Sequence, residues 1–325
     1  MAVIDADHAG RRVRDVVPYL ESDAPVVASL SEALAYGPTT LLVGVAPPGG
    51  ALPPTWREAI VEALERGLDV TSGLHDELAR DEAFAAAASR GGARIHDVRV
   101  PPAVPLFSGR AYDVAARVVL TVGTDCAVGK MTAALELTRA ACARGMRARF
   151  VATGQTGIMI AGSGIAIDRV ITDFAPGAVE QLVVENAPHA DLLFVEGQGG
   201  INHPAYGPVT LALLFGAAPD ALVLVHLATR SQIEDFGTPM LALPQAIALY
   251  EALCDTVKPA RVAGIALNTA GLEPSAARRA IAEAAAVTGL PVDDVVRFGP
   301  HGLYDAIASK LENKTLPLAR MPTPA

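Results

Sequence analysis

The chain has 325 residues, of which 51% are hydrophobic and 19% charged, and its net charge is −9 at pH 7. This length fits two domains of about 100–200 residues each. The negative charge, with no local run of Lys and Arg, argues against a nucleic-acid-binding surface, and no apolar run reaches the roughly 18 residues of a membrane span. The polar N-terminus is unlike a signal peptide, and three scattered cysteines predict neither a disulfide framework nor a zinc site. We expect a cytoplasmic homo-oligomer with no nucleic-acid or membrane partner.

Strand-like and helical segments alternate in the first hundred residues. Segments typical of β-strands occupy residues 25–30, 39–46, 68–73 and 93–100. Apolar residues at helical spacing predict helices over residues 55–67 and 75–91. This alternation predicts a parallel sheet covered by helices. Three prolines within residues 101–110 then indicate a linker, so we predict an N-terminal domain over residues 1–110 and a C-terminal domain over residues 111–325.

A second α/β unit follows the linker. Near-continuous apolar segments, typical of strands that are covered on both faces, occupy residues 116–123, 147–153, 191–197, 220–227 and 261–268. Helices are predicted to begin near Gly129, Ala178, Leu241 and Pro274. The predicted fold class is therefore α/β, with two parallel-sheet domains.

The sequence LTVGTDCAVGKMTAALELT, residues 120–138, places a glycine-containing turn and a lysine between a buried strand and a helix. Such a turn can hold phosphate, because its backbone N–H groups point inward and the helix N-terminus adds a partial positive charge. We predict that the whole turn binds the cofactor: Gly123, Thr124, Asp125, Cys126, Ala127, Val128, Gly129, Lys130, Met131 and Thr132. We expect Lys130 to be solvated when the site is empty. The alternative is an ordinary strand-to-helix turn with a surface lysine.

Two further segments follow strands of the same predicted sheet. Glu196, in DLLFVEGQGG, comes at the end of a central strand, where α/β sheets bind their ligands. Residues 152–164 are glycine-rich and are predicted to form a loop that reaches the same crevice, with Gln155 and Thr156 as substrate-binding residues. The alternatives are a salt-bridged strand-end acid for Glu196 and a mobile surface loop for residues 152–164.

Four longer segments carry a specific resemblance: GLDVTSGLHDEL, GTDCAVGKMTAALEL, TGQTGIMIAGSGIAIDRVITDFAPGAVEQLV and VEGQGGINHPAYGPVTLALLFGAAPDALVL. Together they resemble a family with an N-terminal Rossmann-like part and a C-terminal P-loop part. Its characterised members are D-glutamate N-acetyltransferases of D-amino-acid catabolism. The resemblance implies acetyl-CoA as the co-substrate and D-glutamate, or a related amino acid, as the acetyl acceptor. The spacing between Gly123 and Gly129 also resembles the P-loop of dethiobiotin synthetase and cobyrinic-acid amidase.

The residue after the loop lysine bears on the choice of ligand. Loops that transfer a γ-phosphoryl group need a hydroxyl on Mg²⁺ at this point, whereas here Met131 follows Lys130 and Thr132 comes one position late. CoA carries phosphates that the loop amides and Lys130 can hold without a metal, so we predict acetyl-CoA and no metal site. The alternative function is an ATP-dependent ligase or kinase, with ATP and Mg²⁺ bound through Thr132. A nucleotide-sensing protein without turnover is a third hypothesis.

Acetyl transfer to an amine needs a base and donors for the developing oxyanion. Glu196 is our first candidate for the base, and His203 is its rival because a neutral imidazole suits proton transfer near pH 7. Asp173 is a third candidate catalytic residue, with an N-cap or turn acid as its alternative. The backbone amides of Gly199 and Gly200 are candidate donors to the oxyanion.

Two side chains are candidates for other roles. Arg230, just past a strand end, is the predicted clamp for a substrate carboxylate, with surface solvation as its alternative. Cys126 is a candidate acetyl acceptor if the helix N-terminus lowers the pKa of its thiol, although direct transfer needs no nucleophile.

Overall fold

The computed structural model describes residues 1–17, 20–45 and 50–312. The chain forms two compact units that divide between Val100 and Pro101. Among the described residues, no helix combines the length and the apolar character that crossing a membrane requires.

The first unit consists of short parallel strands connected by helices. Its strands are β1 (Val3–Ile4), β2 (Val26–Val27), β3 (Thr40–Val43), β4 (Asp69–Ser72) and β5 (Ile95–Asp97). Its helices are α1 (Val13–Val16), α2 (Leu30–Ala33), α3 (Arg57–Glu65) and α4 (Glu82–Gly91). Strands β1 and β2 form one parallel pair, and β3, β4 and β5 form a parallel three-stranded sheet in that order. The strand predicted over residues 39–46 ends at Val43, and residue 46 lies outside the described residues.

The helix predicted over residues 75–91 is wrong in its first part. Helix α4 begins at Glu82 because Asp81 caps it, its carboxylate accepting hydrogen bonds from the backbone amides of Ala83 and Phe84. Residues Leu78–Arg80 form only a short 3₁₀ turn before the cap. Apolar residues continue at helical spacing through Asp81, so periodicity alone does not reveal this start.

The second unit is a six-stranded parallel sheet. Its strands are β6 (Arg117–Gly123), β7 (Ala148–Val151), β8 (Leu192–Val195), β9 (Ala221–Leu227), β10 (Arg261–Asn268) and β11 (Val292–Asp293). Its helices are α5 (Lys130–Ala143), α6 (Gln155–Ala161), α7 (Ala175–Asn186), α8 (Gly207–Ala217), α9 (Leu243–Asp255), α10 (Pro274–Thr288) and α11 (His301–Glu312). The strand order is β11-β10-β9-β6-β8-β7, with every pair parallel. The predicted α/β class with two parallel-sheet domains is confirmed.

Strand β6 lies in the interior of this sheet, and both of its faces are buried. Its residues Val118, Leu120 and Val122 pack with α7, α8 and α9, whereas Val119, which points to the opposite face, packs with α5 and α11. Successive side chains of a strand alternate between the two faces, so helices on both sides explain why the strand sequence is apolar throughout. The carboxyl end of β6 is therefore held in place by packing on both faces of the strand.

Residues 152–164 contain helix α6, so the prediction of a loop for this segment is wrong. Gly154 has an extended backbone at the N-cap, and Gly162, with φ of 73°, is the left-handed C-cap. The glycines that suggest a loop thus begin and end a helix of seven residues. The sequence patterns also missed α8, which is apolar on all sides and shows no amphipathic period.

The linker packs against helix α7. Glu180 of α7 is fully buried, and its carboxylate accepts hydrogen bonds from the Ser108 amide at 2.7 Å, the Ser108 hydroxyl at 2.8 Å and the Ala111 amide at 3.2 Å. A Cβ atom at Gly177 would stand 2.0 Å from the carbonyl oxygen of Pro105, so only glycine permits this approach. The predicted domain boundary between residues 110 and 111 stays a prediction.

Candidate active site

The phosphate-loop sequence connects the carboxyl end of β6 to the first residue of α5. Gly129, the residue before α5, has φ of 107°, and Ala127 has φ of 50°, so the turn uses two left-handed residues. The side-chain amide of Asn268, at the end of β10, donates a hydrogen bond to the carbonyl oxygen of Val128 at 3.1 Å. Tyr250, fully buried in α9, donates its hydroxyl hydrogen to the carbonyl oxygen of Gly123 at 2.6 Å. Both ends of the turn are therefore fixed by side chains from other elements.

Lys130 is buried, which contradicts the expectation of a solvated lysine. Only 6% of the residue is exposed, and its Nζ donates a hydrogen bond to the carbonyl oxygen of Asp125 at 2.7 Å. Burial lowers the pKa of the ammonium to about 8. A Cβ atom at Gly123 would stand 2.8 Å from this nitrogen. The loop thus holds its cation inside, where a charge acts more strongly than at a solvated surface.

Glu196 follows β8 directly and lies beside the N-terminus of α6. Its Oε2 atom accepts hydrogen bonds from the backbone amides of Thr153 at 2.9 Å and Gly154 at 3.1 Å. Burial raises the pKa of its carboxyl to about 7, because these hydrogen bonds and the charge of Lys130 only partly offset the loss of water. A carboxyl group that changes protonation near neutral pH suits general base catalysis.

Asp125 is the centre of a second charged group. Its side chain is completely buried, and its Oδ1 accepts a hydrogen bond from the Cys126 amide at 2.8 Å. Its Oδ2 accepts from the Glu234 amide at 2.9 Å and from Arg230 at 3.1 Å. Burial acts to raise the pKa of Asp125, but these donors together outweigh it and hold the pKa below its ordinary value. Asp125 is therefore an anion that shapes the loop from within.

Arg230 contacts the loop, so the alternative of a solvated surface arginine is wrong. Its Nη1 donates to Asp125 and to the carbonyl oxygen of Cys126 at 2.9 Å, and the guanidinium also forms an ion pair with Glu234. Its place just after a strand end predicted that it would lie near the loop. Glu234 was missed, and because residues 230–234 form no helix, its spacing of four residues from Arg230 gives no signal.

The thiol of Cys126 is unsuited to accept an acetyl group. Its Sγ donates a hydrogen bond to Glu234 Oε2 at 3.2 Å. Burial, this hydrogen bond and the charges of Asp125 and Glu234 raise the pKa of the thiol to about 12. The hypothesis that the helix N-terminus lowers this pKa is wrong, because burial, and after it the neighbouring carboxylates, oppose the thiolate more strongly.

His203 is held in one tautomer. Its Nδ1 accepts hydrogen bonds from the backbone amides of Ala205 and Tyr206, both at 3.1 Å, so the ring proton of the neutral imidazole sits on Nε2. Nε2 faces Asp125 Oδ1 at 3.8 Å, and the ring is buried between Tyr206, stacked at 4.5 Å, and Phe236. A base at Nε2 would need the opposite tautomer, whose Nδ1–H would face two N–H donors. This arrangement favours Glu196 over His203 as the base.

Side-chain atoms of Asp125, Cys126 and His203 lie within 4.8 Å of one another, close enough for a metal ion. The donor set does not suit one, because His203 presents an N–H at Nε2 and the Cys126 thiol remains protonated. The prediction of no metal site stays a prediction.

The remaining predicted site residues fall into two groups. Gln155 and Thr156 are the first residues of α6, beside Glu196, and are partly buried. Gly200 lies against the loop, because a Cβ atom there would stand 2.9 Å from Asp125 Cα. These three residues thus border the loop or Glu196, whereas a Cβ atom at Gly199 would stand 2.4 Å from the carbonyl oxygen of Tyr206. Asp173 is exposed in the segment before α7, whose N-cap is Phe174, so Asp173 is not that cap. Of the last two loop residues, Met131 is partly buried and Thr132 exposed; both lie in the first turn of α5.

The fold and the site define a two-domain α/β protein with a phosphate-binding type of loop at the centre of its second sheet. The N-terminal Rossmann-like domain of the DUF1611 family matches residues 6–101, and the C-terminal P-loop domain of that family matches residues 105–304. The chain belongs to the DUF1611 family. The family resemblance and the Rossmann-like and P-loop character predicted from the sequence are confirmed.

Two similar proteins and one similar crystal structure support this assignment. The chain is 41% identical over 286 residues to a protein of Tritonibacter scottomollicae named D-glutamate N-acetyltransferase, covering 86% of this chain and 84% of the relative. It is 36% identical over 286 residues to a Pseudoalteromonas protein of the same name, covering 87% and 84%. The crystal structure of a DUF1611 family protein from Anabaena variabilis superposes with a TM-score of 0.91 at 43% identity, covering 95% of this chain and 91% of that one. The relatives' name is that of an N-acetyltransferase, the enzyme class predicted from the sequence.

Proposed function

We propose that this protein transfers the acetyl group of acetyl-CoA to the amino group of D-glutamate, as a step of D-amino-acid catabolism in the cytoplasm. The names of the two relatives supply the substrate, and their identity of 41% and 36% over most of the chain supports the transfer. The observation that carries the chemistry is the buried carboxylate of Glu196, whose pKa of about 7 allows it to take a proton at neutral pH.

In this reaction Glu196 removes a proton from the substrate ammonium, and the free amine then attacks the thioester carbonyl. The nitrogen–carbon bond forms and gives a tetrahedral oxyanion, whose collapse breaks the carbon–sulfur bond. The nitrogen gives up a second proton, which ends on the departing CoA thiolate. Gln155 and Thr156, which begin α6 beside Glu196, would bind the amino acid, and the amides of Gly199 and Gly200 would donate to the developing oxyanion. Arg230 would bind a substrate carboxylate, and His203 and Asp173 stay less favoured candidates for proton transfer.

The loop from Gly123 to Thr132 would hold CoA through its phosphates. Its amides surround the N-terminus of α5, and Lys130 supplies a full positive charge in a position shielded from water. No hydroxyl directly follows Lys130, so this binding needs no metal ion. The same reasoning weighs against the ATP-dependent ligase or kinase, in which Mg²⁺ would need a hydroxyl from the loop.

The test is an acetylation assay with the purified protein. Acetyl-CoA and D-glutamate should release free CoA, measured with a thiol reagent, and form N-acetyl-D-glutamate, identified by mass spectrometry. L-Glutamate serves as the stereochemical control, and ATP with Mg²⁺ and D-glutamate tests the ligase or kinase. Product formation with ATP and none with acetyl-CoA would replace the proposal with the alternative.

A further inference from the structure

Arg230 has two kinds of partner on two sides of its guanidinium. Towards the loop, Nη1 donates to Asp125 Oδ2 at 3.1 Å and to the carbonyl oxygen of Cys126 at 2.9 Å. Away from it, Nη2 donates to Glu234 Oε1 at 3.1 Å, and Nη1, whose two N–H groups serve three acceptors, makes a longer, shared contact with Oε2 at 3.3 Å. The Asp125 side chain is completely buried, but 40% of the Glu234 side chain is exposed. Arg230 therefore has a fixed inner face and an outer face that borders on solvent.

The outer face has the geometry of a carboxylate receptor. Two N–H groups of one guanidinium bound to two oxygens of one carboxylate form the paired contact by which arginine recognises any carboxylate. Glu234 fills this receptor with a –CH₂–CH₂–COO⁻ group, which is the side chain of glutamate itself. A free glutamate would offer Arg230 the same group.

The contacts of Glu234 allow such an exchange. Its backbone amide donates to Asp125 Oδ2 at 2.9 Å, so the main chain is anchored without help from its side chain. Rotation of the side chain towards solvent would break its ion pair with Arg230 and its hydrogen bond from the Cys126 thiol, and would uncover the outer face of Arg230. The bonds from Arg230 to Asp125 and Cys126 would remain. Replacing one carboxylate by another also leaves the net charge around Arg230 and Asp125 unchanged, so no uncompensated charge arises.

The receptor and Lys130 contact the same loop residue: Arg230 donates to the side chain of Asp125, and Lys130 Nζ donates to the carbonyl oxygen of Asp125. The charges of Glu196 and Arg230 both act on the pKa of Lys130, the first raising it and the second lowering it. Glu196 and Arg230 therefore lie within electrostatic range of the same ammonium group. A substrate held at Arg230 by its side-chain carboxylate would lie beside the loop.

We propose that the outer face of Arg230 is the binding site for the side-chain carboxylate of the amino-acid substrate, and that Glu234 occupies this site until the substrate displaces it. The inference rests on the proposed function, because it takes the substrate to be a dicarboxylic amino acid. In this proposal Arg230 and Glu234 determine which substrate side chain is bound. The site selects glutamate over glutamine, because the amide of glutamine is uncharged and offers only one acceptor oxygen.

The test is isothermal titration calorimetry without acetyl-CoA, using D-glutamate, D-glutamine and glutarate as separate probes. Glu234→Gln keeps the shape of the side chain and removes its charge, so it competes more weakly for Arg230. D-Glutamate and glutarate should bind this variant about tenfold more tightly than the natural chain, because a larger fraction of the sites is open. D-Glutamine binding should stay unchanged. Arg230→Lys, which keeps the charge and loses the paired contact, should weaken D-glutamate binding by about tenfold.

A matched control exists in the first unit. Glu62 and Arg66 form an ion pair with the same spacing of four residues, and the Glu62 side chain is 39% exposed. Glu62→Gln should leave the affinity for every probe unchanged. If Glu234 only fastens its segment to the loop, Glu234→Gln will lower the melting temperature and leave glutarate affinity equal or weaker, and the proposal is then wrong.

The outcome separates this proposal from the proposed function. Tighter glutarate binding by Glu234→Gln without any acetylation of D-glutamate would support the carboxylate site and reject the reaction. Acetylation of D-glutamate by the natural chain, with no gain in affinity in Glu234→Gln, would support the reaction and reject the exchange.

Discussion

A Cβ atom at position 157 would stand 2.4 Å from Oε2 of Glu196, so the absence of a side chain at Gly157 leaves room for that carboxylate. The same oxygen accepts the backbone amides of Thr153 and Gly154. Helix α6 therefore does two things for Glu196: its N-terminus supplies donors, and its glycine supplies space.

The first prediction tests that relationship. Gly157→Ala should favour helix α6 by about 0.5–1 kcal/mol, because alanine is the better helix former, yet the added methyl group displaces the Glu196 carboxylate. A displacement of about 1 Å in a catalytic group can cost about 10²-fold, so we expect turnover of acetyl-CoA and D-glutamate to fall by that order. Gly44→Ala is the control, because a Cβ atom there meets nothing within 4 Å. If the turnover of Gly157→Ala stayed within twofold of the natural chain, a catalytic role for Glu196 would be contradicted.

The second prediction concerns Glu196 as the base. Glu196→Gln keeps the shape and the hydrogen-bond acceptor but cannot take a proton, so turnover should fall by about 10²–10⁴ while the KM for acetyl-CoA stays the same. In the natural chain the acid limb of the rate profile should have its midpoint near pH 7, set by the raised pKa of Glu196. Kinetics between pH 5 and 9 measure both. A variant that keeps the acid limb would assign it to another group.

The same variant changes how stability depends on pH. The folded-state pKa of Glu196 is about 7 and its ordinary value 4.5, so the folded protein holds this proton more tightly than the unfolded chain. The resulting stabilisation is complete below pH 4.5 and is lost as the pH rises through 7. Relative to the natural chain, Glu196→Gln should therefore gain up to about 3 kcal/mol between pH 4.5 and 7.5. Urea denaturation at several pH values measures the gain. If the free energy of unfolding depended on pH in the same way in both chains, the prediction would be wrong.

The third prediction separates the charge of Lys130 from its volume. Lys130→Met fills nearly the same space without the cost of burying an ammonium, whereas Lys130→Ala leaves a cavity. We expect Lys130→Met to be about 2 kcal/mol more stable than Lys130→Ala, with both variants binding acetyl-CoA weakly. Thermal denaturation and the KM for acetyl-CoA test the two parts separately. An unchanged KM in Lys130→Met would remove Lys130 from cofactor binding.

The fourth prediction follows from the tautomer of His203. The side-chain oxygen of asparagine can accept the amides of Ala205 and Tyr206 in place of Nδ1. His203→Asn should therefore keep turnover within about tenfold and leave the acid limb in place, well short of the loss of a base. His203→Phe leaves both amides without an acceptor and should cost about 1–3 kcal/mol in stability. Loss of the acid limb in a folded His203→Asn enzyme would return the role of base to His203.

The fifth prediction concerns the ligand of the loop. Because Lys130 and the amides serve where other loops use Mg²⁺, CoA and acetyl-CoA should raise the melting temperature without added metal. The control is ATP with and without Mg²⁺, measured under the same conditions. Stabilisation by ATP only in the presence of Mg²⁺, with none by CoA, would contradict the prediction.

The long-range architecture could be predicted because each strand of the second sheet is a nearly continuous apolar segment. β6, β9 and β10 appear within one residue of their predicted limits. The positions of the loop and of Glu196 followed, since parallel strands end at one edge of the sheet. Helix α6 was missed because its glycines act as a cap at one end and as space for a carboxylate in the middle, and neither role has a periodic signal.

The partners of the site residues could not be predicted from the sequence. The burial of Lys130 depends on Gly123 and Gly197, whose missing side chains make room for it in three dimensions. The hydroxyl of Tyr250 reaches Gly123 from a helix that reads as an ordinary core helix. Burial raises the pKa of the Cys126 thiol, and the hydrogen bond to Glu234, which stands 108 residues away in the chain, raises it further. Asn268 is an exception, because a polar residue at a strand end is a readable signal.

The hydrogen bonds onto Glu180 determine where the protein can be divided by a protease or by cloning. A fragment that starts at residue 111 would lose Ser108, which supplies two of the three donors to a fully buried carboxylate. That carboxylate would then have to take up a proton or admit water into the interior of the P-loop half. A fragment that starts at Pro101 retains all three donors. Gene fusions and domain exchanges in this family should therefore join their parts at Val100, with the proline-rich segment inherited by the half that follows it.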